Sequence, residues 1–93
     1  MQIRIGPIDY DVIEVKGLVS KEFACGECNY ERGRIRIDAG MHSQVKQVTI
    51  WHEAIHAILH GAAIGDHDEQ VVDALAHGIV QVLRDNAELR GVP

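Results

Sequence analysis

Residues 48–59 constrain this chain more than any other stretch. Val48, Ile50, Trp51, Ile55, Ile58 and Leu59 recur at helical intervals, and Trp51, Ile55, Ile58 and Leu59 form one apolar stripe. The segment therefore reads as a helix that buries one side. Beside the stripe stand His52 and His56. Four residues along a helix put two side chains on the same face, about 6 Å apart along the axis. Imidazoles at that spacing reach a single tetrahedral zinc ion. Glu53, rotated by about 100° from His52, flanks such an ion and can take a proton from a zinc-bound water. The pattern His-Glu-x-x-His thus points to metal-assisted hydrolysis, most often of a peptide bond. The competing reading is a helix whose histidines are ordinary polar groups at the margin of a buried face.

The rest of the chain divides around this helix. The first half alternates at period two: residues 2–5 read as a short strand broken by Gly6-Pro7, and residues 10–15 as a second. Residues 16–24 fit loop, strand or a single helical turn. Residues 28–30 and 34–38 flank Glu31-Arg32-Gly33, which reads as a hairpin with Gly33 at positive φ. Ile35 and Ile37 then share one face, with Arg34 and Arg36 on the solvated one. The second half is helical. Ser43 is the expected N-cap of a helix over residues 44–60 that Gly61 ends. Asp66 or Asp68 caps a second helix reaching about Asp85, with a broad apolar face from Val71, Val72, Leu75, Ala76, Ile79, Val82 and Leu83. Residues 86–93 read as a polar tail. The expected fold is α+β: a small antiparallel sheet packed on the histidine-bearing helix and a second C-terminal helix. The 93 residues leave room for one domain, 1–93, and no second core.

Composition narrows the partners. The net charge of −5 and the lack of a basic stripe argue against nucleic acid. No N-terminal apolar stretch reads as a signal peptide or a membrane span, so the expectation is a cytoplasmic protein without a membrane partner. Oligomeric state is not legible. Cys25-Gly26-Glu27-Cys28 fits half a zinc ribbon, a redox pair, or two thiols without function near a turn.

A catalytic zinc takes three protein ligands and leaves one position open. His60 lies about 12 Å along the axis from His52, too far to share an ion whose bonds to nitrogen are about 2 Å. The start of the second helix offers Glu69, with Asp73 and His77 each a turn further on. A short loop returns Glu69 beside His56, which makes it the leading third ligand. Asp66, His67 and Asp73 remain alternatives, and Asp66-x-x-Glu69 also matches a capping box. Asp73 is placed to accept a hydrogen bond from a ligating imidazole. A closed structural site of Cys25, Cys28, His52 and His56 is the competing metal arrangement.

The runs Thr49-Ile50-Trp51-His52-Glu53-Ala54-Ile55-His56-Ala57-Ile58 and Asp68-Glu69-Gln70-Val71-Val72-Asp73-Ala74-Leu75-Ala76 resemble the gluzincin metallopeptidases. With its strand-rich start and its Leu-Arg-Asp-Asn segment at 83–86, the whole chain is similar to small phage and prophage proteins of the minimal gluzincin kind. It also resembles the zinc-peptidase domain of the phage-repressor-cleaving family. The resemblance implies a zinc-dependent endopeptidase acting on a protein or peptide substrate. In that reading Glu69 and Asp73 fill the family's E-x-x-x-D segment, His52, His56 and Glu69 hold zinc, and Glu53 is the general base. It further implies an edge strand along the cleft, expected at residues 34–38. Tyr30 and His77 are the residues at hand to stabilise a transition state. A binding or regulatory protein that keeps the fold and the zinc without catalysis is the alternative.

Overall fold

A computed structural model describes residues 1–91. Four strands, β1 (Gln2–Ile5), β2 (Ile8–Val15), β3 (Gly26–Asn29) and β4 (Arg34–Asp38), form one sheet in the order β1-β2-β4-β3. The helices are α1 (Leu18–Glu22), α2 (Ser43–Gly61), α3 (Glu69–Asp85) and α4 (Ala87–Arg90). The fold is α+β. Among the described residues no helix is long and apolar enough to cross a membrane.

The sheet is mixed, where a wholly antiparallel one was expected. β1 with β2 and β3 with β4 are antiparallel hairpins, but β2 and β4 run parallel, with Val12 opposite Ile35. A parallel pair needs a long crossover rather than a tight turn. Residues 16–33 supply it, and they hold α1, which resolves the ambiguous stretch, and β3. Gly17 enters α1 at φ 75° and Gly33 turns the second hairpin at φ 61°, both in the left-handed region that glycine tolerates without a Cβ penalty. Buried Asp38 ties the crossover down: its carboxylate accepts from Val19 N at 2.6 Å and from Gly40 N at 2.6 Å. The hairpin insertion also moves the edge. Residues 34–38 were expected at the rim, yet β4 lies between β2 and β3, and β3 is the edge strand. Arg36 is not simply solvated either; it bridges Glu22 and Glu27 on the outer face.

Helix α2 is packed on two sides, and this explains its composition. At about 100° per residue, Ile50, Ala54 and Ala57 turn together toward the sheet. Ala57 joins Tyr10, Val12, Ile35 and Ile37 in one core, with Ile50 against it. Val48, Trp51, Ile55 and Leu59 turn toward α3, where Val72 and Ala76 are almost fully buried. Ala76 at 0% exposure lets the two helices approach closely. Between these two faces runs a strip of Thr49, His52, Glu53 and His56. On the opposite divide Ile58 stays exposed, so it is not part of the buried stripe.

Several boundaries differ from the sequence reading. His42, not Ser43, caps α2: its Nδ1 accepts from Gln44 N at 3.1 Å. Gly61 stays helical, and the left-handed residue is Ala63 at φ 62°. Asp68 rather than Asp66 caps α3, accepting from Gln70 N and Val71 N. Residues 87–90 of the expected polar tail form a short helix; the last two residues, 92–93, lie outside the described ones.

Candidate metal centre

Three donors converge where α2 faces the start of α3. His52 Nε2 lies 3.1 Å from one Glu69 oxygen and His56 Nε2 lies 3.0 Å from the other. The ligand-type atoms of His52, His56 and Glu69 all fall within 4.8 Å of one another, and among the described residues no other such group forms. The elements explain the meeting. The four-residue spacing aligns the imidazoles on α2, and the Asp68 cap starts α3 so that Glu69 occupies its first turn. The Glu69 carboxylate faces the histidines instead of closing a capping box.

The remaining ring nitrogens have partners of their own. His52 Nδ1 lies 3.2 Å from Asp73 Oδ1, and an ionised carboxylate only accepts, so this nitrogen carries the proton. His67 Nε2 lies 2.6 Å from the Ile64 carbonyl, so it donates. His67 Nδ1 lies 2.7 Å from His56 Nδ1, a pair in which one ring donates and the other accepts. Both histidines consequently turn their Nε2 atoms toward Glu69, where each either donates to the carboxylate or shares a cation with it. Two imidazole nitrogens and a carboxylate facing one another favour positive charge between them. Protons on the rings supply it one at a time, whereas a single cation satisfies all three. The donor set of two imidazoles and a carboxylate suits zinc.

Glu53 is only 9% exposed. Burial pushes its carboxyl above the usual range, Glu69 and Glu27 push the same way, and His52 opposes them. Its neighbour across the gap is the edge strand. A Cβ on Gly26 would stand 2.7 Å from Thr49 Cγ2 and 3.2 Å from Glu53 Cγ, so only glycine lets β3 pass this close. Two clefts meet at this point. One of about 750 Å³ is lined by Val45, Val48, Thr49 and His52, and one of about 430 Å³ by Tyr30, His60, Asp66 and His67; Glu53, His56 and Glu69 line both.

The other candidates fall in different places. Tyr30 borders the smaller cleft with its ring stacked on His60 at 3.9 Å. His77 borders the larger one, its Nδ1 2.9 Å from the Asp73 carbonyl. His67 was one of the alternative ligands, but both its nitrogens are engaged elsewhere. Cys25 and Cys28 are free thiols and do not join the donor group. Burial, then Glu53 and Glu27, push the Cys28 thiol up to about 12, so it stays protonated at neutral pH. Neither family models, nor curated proteins, nor solved structures give a match to this chain.

Proposed function

We propose that this chain is a zinc-dependent metallopeptidase of the minimal gluzincin kind, working on protein or peptide substrates. The observation that carries the reading is the pair of imidazole Nε2 atoms meeting the Glu69 carboxylate, with a buried carboxylate one residue from the first histidine. His52, His56 and Glu69 would hold the ion, and Asp73 would keep His52 in the ligating tautomer. Zinc bound there supplies Lewis-acid activation of a carbonyl and of the attacking water. Glu53 would serve as general base and then general acid, taking a proton from the attacking water and returning it to the departing amide nitrogen; its raised proton affinity suits both halves of the task.

Substrate docking follows from the edge strand. Asp38 N donates to Cys25 O at 2.9 Å, so by ladder alternation the backbone groups of Gly26 and Cys28 point away from β4. An extended peptide pairing with them lies across the junction of the two clefts, beside Glu53. The free thiols fit the reducing cytoplasm as the working compartment. A second reading, zinc binding without turnover, draws on the engagement of Tyr30 with His60 and of His77 with the Asp73 backbone.

Zinc stoichiometry and cleavage of a quenched-fluorescent peptide library test the proposal together. The wild type should bind one zinc, Glu69→Ala should weaken it, and a Cys25→Ser/Cys28→Ser double variant should keep it. Loss of zinc in the cysteine variant alone would transfer the site to the cysteines. Glu53→Gln should retain zinc and lose roughly 10²–10⁴-fold in cleavage rate. A wild type that binds zinc and cleaves no peptide of the library favours the second reading.

A further inference from the structure

We infer that His67 is a positioning residue: pinned to the backbone at one nitrogen, it holds His56 in the single tautomer that presents Nε2 to the cation site. The functional weight of this assignment rests on the zinc reading above; its structural half rests on hydrogen-bond chemistry alone.

The argument starts at the loop between α2 and α3. Ala63 at φ 62° bends the chain, and two backbone bonds tie it to the helix it leaves: Ala63 N to His60 O at 3.0 Å and Ile64 N to Leu59 O at 2.9 Å. The Ile64 carbonyl is therefore held against the end of α2. On the far side, Asp68 is anchored as the cap of α3. His67 hangs between these two fixed points, half-buried, and its Nε2 meets the Ile64 carbonyl at 2.6 Å. A carbonyl cannot donate, so His67 Nε2 carries a proton; with its other nitrogen free to accept, His67 Nδ1 takes a hydrogen bond from His56 Nδ1, 2.7 Å away. The rings lie 5.0 Å apart at 23°, nearly parallel.

The two histidines of α2 are thus oriented by unlike partners. His52 Nδ1 faces a carboxylate on α3; His56 Nδ1 faces an imidazole in the loop. Free histidine prefers its proton on Nε2, the nitrogen needed here as a lone pair, so removing His67 releases His56 to the wrong tautomer. Hydrogen-bond partners of metal ligands set affinity by roughly 10–100-fold. His67 would act on affinity without touching the ion.

Ring nitrogen NMR on ¹⁵N-labelled wild type, His67→Ala and His67→Asn, metal-free at mildly alkaline pH and then titrated with zinc chloride, tests this. In the metal-free wild type the His56 proton should sit on Nδ1. His67→Ala should shift it toward Nε2 and lower zinc affinity roughly 10–100-fold, with an unchanged circular dichroism spectrum. His67→Asn, whose amide oxygen takes the place of Nδ1 as acceptor, should restore most of the loss. An unchanged His56 tautomer and unchanged affinity in His67→Ala overturn the inference, as does a zinc-shifted nitrogen on His67 itself, which would make it a ligand. A wild type that binds no zinc sinks the metal reading alone; the metal-free spectra still decide the hold of His67 on His56.

Discussion

Asp73 and Gly26 act on the candidate centre in different ways, and each gives a residue-scale expectation. Asp73 is exposed and touches His52 only at Nδ1. Asp73→Ala should leave the fold unchanged and lower zinc affinity roughly 10–100-fold, read by competition with a chromophoric chelator. An unaltered affinity would show that His52 needs no partner. Gly26 acts by its absent side chain. In Gly26→Ala the new Cβ meets Thr49 at 2.7 Å and Glu53 at 3.2 Å, and overpacking of this kind typically destabilises by about 1–3 kcal/mol. Denaturant unfolding measures it, and a variant as stable as wild type would mean that β3 does not approach α2 so closely.

At the scale of elements, helix starts and strand ends carry the geometry. Asp68 caps α3, and Glu69 is the next residue. Asp68→Ala should destabilise by about 1 kcal/mol and also loosen Glu69, so zinc affinity should fall although no ligand is changed. Asp38 joins β4, α1 and the turn at Gly40 through two backbone N–H donors, which hold its carboxyl below the usual range, first through Val19 and then Gly40. Its folded-state affinity for protons is lower than in the unfolded chain. The stability it contributes is therefore complete above the unfolded value of about 3.9 and is lost as pH falls through the folded one. Asp38→Asn should flatten the acid side of the stability–pH profile between pH about 4 and the folded value. An acid limb as steep as that of the wild type would rule Asp38 out as its source.

For the whole molecule, binding and folding are coupled. The donors come from α2 and α3, so an ion that binds only the folded state stabilises the contact between them. Zinc at about 100 times its dissociation constant should add roughly 2.7 kcal/mol and raise the melting temperature, with EDTA reversing the shift. Glu69→Ala should blunt the response. A melting temperature indifferent to zinc at such excess would mean that the three donors do not form a site in solution.

Much of this architecture is local and was legible in the chain. The alternation of residues 2–5 and the apolar residues of α2 and α3 reflect periods that a helix or strand imposes on its own sequence. The spacing of His52 and His56, and the reach of Glu69 from a short loop, are likewise properties of helices and loop length. Other features belong to no single segment. The sequence shows two short strands and a hairpin, but only their docking makes β2 and β4 parallel and leaves β3 at the edge. The glycine at position 26 looked like part of a cysteine motif; only the approach of α2 to β3 gives it a reason. His67 could be noticed as a loop histidine, yet its role depends on the carbonyl of Ile64 lying 2.6 Å away. Local periodicity is written in consecutive residues, whereas edge position, close approach and tautomer depend on which distant groups meet. Those meetings are decided by packing.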